Sequence, residues 1–188
     1  MDKKKIEKAV KMILEAVGAD LKKKDISTTP KRVADMYEEI LSGQFKDASE
    51  ELEVILEQKH DEIILLKNIP VFSLCEHHLL PFVGKAYVAY IPDKRITGLS
   101  KIARVVDILS KRLQVQERLT TEVANVIMKK LNPKGVMVVI EAEHLCMSMR
   151  GVKKPGAVTT TSVVRGVFRK NQKTRQEALS LIFSAAKS

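Results

Sequence analysis

The sequence predicts an α+β fold: a four-stranded antiparallel sheet with two helices between its second and third strands, over residues 61–188, behind a helical N-terminal region over residues 1–60. Three observations predict it. Four β-rich segments fall into two pairs, and the pairs bracket two segments of helical periodicity. Before Gly43, apolar residues recur only at helical spacing. With 45% hydrophobic residues in 188, the chain can supply one core and suits one domain with a small extension.

In chain order, Ile6, Val10, Ile13 and Val17 make a helical stripe that Gly18 stops. Thr29-Pro30 reads as an N-cap followed by proline in the first turn, opening a helix with Val33, Met36, Tyr37, Ile40 and Leu41 on its apolar face. Gly43 ends it. The polar stretch from Gln44 to Asp61 predicts at most a short helix around Glu50–Glu57. A first strand runs through Ile63–Ile69 toward Cys75, and a second covers Phe82–Ile91 after Pro81. Ser100 caps a helix with Ile102, Val105, Val106 and Leu109 inside. The next helix starts near Val115, with Leu119, Val123, Val126 and Ile127 inside, and Asn132-Pro-Lys-Gly135 stops it. A third strand is Gly135–His144, and a fourth runs from Gly156 through Phe168. Thr174-x-x-Glu177 reads as a capping box for a last helix containing Ala178, Leu181 and Ile182. Four short strands leave open edges, which an edge-to-edge oligomer closed into a barrel would remove.

Composition limits the function classes. No apolar run approaches the roughly 20 residues of a membrane span, and the charged start Met1–Ile6 leads into no signal-peptide core. A cytoplasmic location is expected, with reduced thiols and no Cys75–Cys146 disulfide. The net charge of +10 suits an anionic partner or a soluble basic surface, with lysines at Lys3–Lys5 and Lys22–Lys24 on solvated helix faces. Three tyrosines, five phenylalanines and no tryptophan give no aromatic–basic stacking platform, so nucleic acid is not the expected partner. A small phosphorylated ligand fits the charge.

Both cysteines and three of the four histidines fall in two short segments, Cys75-Glu-His-His78 and Glu143-His-Leu-Cys146. At C-x-x-H spacing a turn can aim Cys75 and His78 at one ion. His144 and Cys146, two apart, share a face if they lie on a strand. Two thiolates and an imidazole suit zinc, and three ligands leave a position for water. The same spacing also fits two small buried thiols with hydrogen-bonded histidines beside them. Likewise Gln114-Val-Gln-Glu-Arg118 on its own reads as a polar helix start.

Six motifs, in order along nearly the whole chain, resemble the type IA GTP cyclohydrolase I family. They are Thr29-Pro-x-Arg-Val33, Cys75-Glu-His-His-Leu-Leu-Pro-Phe82, Gly98-Leu-Ser-Lys-Ile-Ala-Arg104, Gln114-Val-Gln-Glu-Arg-Leu119, Glu143-His-Leu-Cys-Met-x-Met-Arg-Gly-Val152 and Lys173-Thr-Arg175. The resemblance implies the tunnelling fold, in which sheets of several subunits close into a barrel. It also implies a homodecamer of two pentameric rings with active sites at subunit interfaces. The implied reaction is zinc-dependent conversion of GTP to formate and 7,8-dihydroneopterin triphosphate, early in pterin and folate synthesis.

Residue by residue, the resemblance implies Cys75, His78 and Cys146 as Zn2+ ligands and His77 and His144 as catalytic histidines. His144 is expected to give a proton to the guanine ring, with His77 as a relay or orienting group. Glu117 is expected to anchor guanine through N1–H and the exocyclic amine, assisted by Gln116. Ser100, Lys101 and Arg104, at a helix start without a capping-box carboxylate, are expected to hold triphosphate, as are Arg150 and Arg32. One position departs: several bacterial members carry lysine where this chain has Asp35. Rival readings are another purine or pterin enzyme of the same fold, or a structural zinc protein or basic nucleic-acid binder that turns nothing over.

Overall fold

Apolar stripes at period 3.6 and runs at period 2 fold here into two compact units, Met1–Ser42 and Gly43–Ser188. The computed structural model describes residues 1–52, the backbone of 55–57, and 60–184. The first unit holds α1 (Lys3–Ala16), α2 (Lys24–Ser27) and α3 (Thr29–Ile40). Asp2 caps α1 by accepting from the Lys5 amide. Thr28, not Thr29, is the cap residue of α3 and makes no side-chain cap bond; its hydroxyl donates to the Asp25 carbonyl, and Pro30 sits in the first turn. Asp35 on α3 binds Lys3 at 2.6 Å and Lys31 at 3.0 Å, so these two lysines take up its carboxylate.

In the second unit a 3-10 turn covers Ala48–Leu52 and a short strand β1 covers Ile55–Glu57. The short helix expected over Glu50–Glu57 is therefore not continuous, and part of it lies outside the described residues. Then follow β2 (Ile64–Cys75), β3 (Pro81–Ile91), β4 (Arg95–Thr97), α4 (Leu99–Ser110), β5 (Leu113–Gln114) and α5 (Gln116–Leu131). The chain continues through β6 (Gly135–His144), α6 (Leu145–Ser148), β7 (Val158–Gly166), α7 (Val167–Lys170) and α8 (Gln172–Phe183). The main sheet has the order β5-β2-β3-β6-β7, and β1 pairs with β4 separately.

The four long strands are antiparallel neighbours, as expected, but the sheet is mixed. β5 adds a fifth strand, parallel to the end of β2. Two residues are too short to show periodicity in sequence. Arg112 holds this edge by donating to the Gly43 and Lys46 carbonyls, and Gln44 accepts from the Leu113 amide. β7 stops at Gly166, where φ reaches 59°, and Phe168 is buried on a helical turn rather than on the strand. α8 starts earlier than the Thr174 box, because Asn171 already accepts from the Lys173 and Thr174 amides.

Both faces of the sheet are covered, so the central strands are apolar throughout rather than alternating. Ala86, Val88 and Tyr90 of β3 face α4 and α5, while Tyr87, Ala89 and Ile91 face Phe168, Ala178 and Ile182. One irregularity sets which side chains of β2 point inward. Its pairing steps three residues from Leu66 to Ile69 while β3 steps two, from Val88 to Ala86. Asn68 sits in this bulge with φ 57°. The bulge takes up the extra residue, so Ile69, Val71 and Cys75 keep to the core face that Ile64 and Leu66 share. No helix among the described residues is long and apolar enough to cross a membrane.

Candidate metal centre and active site

β2 ends at Cys75 and turns back into β3 within five residues. The Leu79 amide donates to the Cys75 carbonyl, Leu79 takes φ 53°, and the Cys75 amide donates to the Leu80 carbonyl. This turn carries His77 and His78. β6, the far neighbour of β3, ends at His144 against Phe82. A helical turn follows, so Cys146 lies on α6 rather than on a strand face shared with His144. The ligand atoms of Cys75, His78 and Cys146 lie within 4.8 Å of one another. Both thiols are free. Burial and the neighbouring Cys75 push the Cys146 thiol up, with Arg150 acting the other way. The Arg150 guanidinium has only hydrogens to offer, so it donates to His78 Nε2 at 3.1 Å.

Two contacts hold this turn against β5 and the start of α5. Arg118 meets the Glu76 carboxylate at 2.6 Å, and the Glu76 amide donates to the Gln114 carbonyl. His77 is largely exposed, with Nδ1 3.8 Å from the Cys75 sulfur and Nε2 3.9 Å from Glu76. Glu143 accepts from Ser148 and from the Gly156 amide, which folds the Cys146–Arg150 loop back onto the end of β6.

His144 stacks on Phe82, with centroids 4.7 Å apart and planes at 14°. Burial pulls its imidazole below the ordinary value, opposed by the charge of Glu117. Its Nε2 lies 2.8 Å from Gln116 Oε1. Gln116 is 1% exposed. Its amide nitrogen reaches the Ile140 and Thr159 carbonyls and the Thr161 hydroxyl. Turning the amide over would set its oxygen against two carbonyl oxygens, so the orientation is fixed. An amide oxygen only accepts. His144 therefore carries its hydrogen on Nε2, and when neutral it keeps its lone pair on Nδ1. Sequence spacing does not reveal this link, because its partners lie 24 to 45 residues away from Gln116.

Glu117, next along α5, is in the helix's first turn. Ser100, Lys101 and Arg104 occupy the start of α4, which begins at Leu99 with Gly98 at the cap and no side-chain cap bond, so Ser100 is not the cap. Lys101 and Arg104 both meet Glu51 Oε2, each at 3.4 Å. Sequence reasoning did not single out Glu51. Arg32 lies on α3 of the first unit.

Fold and site together define an α+β protein with a two-thiol, one-imidazole group able to hold a metal ion, and a half-buried histidine of fixed tautomer near it. The chain belongs to the GTP cyclohydrolase I family, which it matches over residues 6–183. It is 60% identical over 183 residues to GTP cyclohydrolase 1 of Carboxydothermus hydrogenoformans, covering 97% of this chain and 95% of that one. The GTP cyclohydrolase 1 proteins of Caldanaerobacter subterraneus subsp. tengcongensis and Thermoanaerobacter pseudethanolicus are each 60% identical over 185 residues, covering 98% of both chains in each case.

Proposed function

We propose that this protein opens the guanine imidazole ring of GTP with zinc bound, releasing formate and forming 7,8-dihydroneopterin triphosphate. The observation that carries this reading is the convergence of Cys75, His78 and Cys146 in a chain of this family. The donor set fits the metal: two soft sulfurs with an imidazole favour zinc, and three protein ligands suit a catalytic rather than a closed structural site. With zinc held by Cys75, His78 and Cys146, a water at the open position would have its pKa lowered to about 7.

The chain's own side chains supply recognition and proton handling. Guanine N7 must gain a proton before C8 accepts water. His144 exchanges that proton through Nδ1, because its Nε2 hydrogen is committed to Gln116. Gln116 thus assists by orienting His144. His77, exposed at the turn, relays protons to solvent. Glu117 accepts from guanine N1–H and the exocyclic amine, a pairing adenine does not return. Ser100, Lys101, Arg104, Arg150 and Arg32 meet the triphosphate.

The test is metal content measured alongside formate and dihydroneopterin triphosphate produced from GTP. Zinc-loaded protein that releases no formate would end this reading. Glu117→Ala is expected to raise KM for GTP by roughly 10- to 100-fold, the worth of a charge-assisted pair, with zinc content retained. Equal GTP binding by parent and variant would remove Glu117 as the anchor.

The same reading includes a homo-oligomer, a decamer of two rings. β7 ends the sheet on one side, and on the other β5 covers only Leu74 and Cys75 of β2. The two open edges differ, so their contact is head-to-tail, the kind that closes into rings. Four alternating strands per chain keep the alternation unbroken when β7 of one copy meets β2 of the next. Sedimentation of the purified protein tests this, with a ten-chain particle expected and a stable monomer excluding it.

A further inference from the structure

Lys101 and Arg104 stand one turn apart at the start of α4, whose first amides have no side-chain cap. Two cations side by side at the positive end of a helix dipole repel each other unless an anion joins them. Within the chain that anion is Glu51, on the 3-10 turn Ala48–Leu52, which packs against α4. One carboxylate oxygen, Oε2, lies 3.4 Å from Lys101 Nζ and 3.4 Å from Arg104 Nη1. A single oxygen shared by two cationic nitrogens is the contact a phosphate oxygen would make there. The side chains of Glu51 and Lys101 are each 27% exposed, so the pair is partly sheltered, while Arg104 at 60% opens to solvent. Burial opposes ionisation of Glu51, but Lys101 and Arg104 outweigh it and hold the carboxyl below its ordinary value. The group is an anion at neutral pH.

We propose that Glu51 is an internal stand-in for substrate phosphate: it occupies Lys101 and Arg104 in the free protein, and a polyphosphate must displace it to bind. Glu51 acts through the two cations and is a positioning residue. Its effect is to set a threshold of anionic charge, so that a ligand able to replace the carboxylate on both cations gains the site and a weakly charged one does not. It also keeps two like charges from splaying before substrate arrives. The proposal rests on the reading of Lys101 and Arg104 as triphosphate contacts.

The experiment compares zinc-loaded parent and Glu51→Gln protein, using inorganic tripolyphosphate by calorimetry, guanosine as a phosphate-free competitor, and GTP in steady-state turnover. Glutamine keeps the shape and removes the charge. Tripolyphosphate is expected to bind about three- to tenfold tighter to Glu51→Gln, the range for two partly exposed ion pairs. KM for GTP is expected to fall by a similar factor, by more than any change in kcat, while guanosine affinity stays put. Tripolyphosphate affinity that is equal or weaker in Glu51→Gln overturns the proposal. Weaker binding of guanosine as well shows Glu51 to be structural support and also overturns it. A parent protein that makes no formate, with tripolyphosphate still tighter in the variant, leaves Glu51 as phosphate stand-in and overturns the enzymatic reading. Turnover with unchanged tripolyphosphate binding does the reverse.

Discussion

Cys146→Ser is expected to abolish formate release and to lower bound zinc below one tenth of the parent's. The reason is the geometry of the group: Cys146 is one of three side chains among the described residues whose ligand atoms converge within 4.8 Å. Serine keeps the size but replaces a soft thiolate with a hydroxyl that stays protonated at neutral pH. With two ligands left, affinity falls by far more than the roughly 10- to 100-fold cost of losing a partner outside the coordination sphere. The fold is expected to survive, because Cys146 sits on a four-residue turn and is only partly buried. Zinc measured by atomic emission, with formate assayed on the same sample, checks it. Turnover by Cys146→Ser in metal-free buffer would reject a metal role for this thiol.

Gln116→Leu is expected to cost both stability and rate. The side chain joins β6, β7 and His144 through one amide. Leucine fills the space but leaves the Ile140 and Thr159 carbonyls without this donor and the His144 Nε2 hydrogen without its acceptor. One buried group so orphaned costs about 1–3 kcal/mol. In a chain of this size that is a fall in Tm of several degrees, about 2–4 °C per kcal/mol. kcat is expected to fall about 100-fold, the usual scale of a misplaced general acid, with zinc content unchanged. Thr161→Val separates the two effects. It removes one of the amide's acceptors and leaves the bond to His144, so it is expected to lose some stability and keep most of the rate. Nitrogen NMR of the labelled imidazole reads the tautomer directly. A Gln116→Leu protein with parental kcat would show that this bond does not orient the proton donor.

The four long strands and their order were legible because each is a run of β-branched and aromatic residues closed by proline, glycine or a polar turn. β5 was not, since two residues carry no period and their place depends on Arg112 reaching carbonyls more than sixty positions away. The last helix began earlier than the Thr174-x-x-Glu177 pattern suggested, because Asn171 accepts from the Lys173 and Thr174 amides and opens the helix three residues upstream. At the site, the spacing of Cys75 and His78 matched a turn that sequence alone could place. Gln116 looked like one more polar residue at a helix start. Its role rests on contacts with β6 and β7 that no local pattern announces, and so does the meeting of Glu51 with Lys101 and Arg104.

The bulge at Asn68 has a cost and a use. A chain one residue shorter between Leu66 and Ile69 would close the bulge into regular pairing, with Leu66 still opposite Val88 and Ile69 still opposite Ala86. Val71, Ser73 and Cys75 would keep their side of the sheet, and the thiol would still meet Cys146. This short reach of chain is thus slack held in reserve: it can give up one amino acid without moving the metal group.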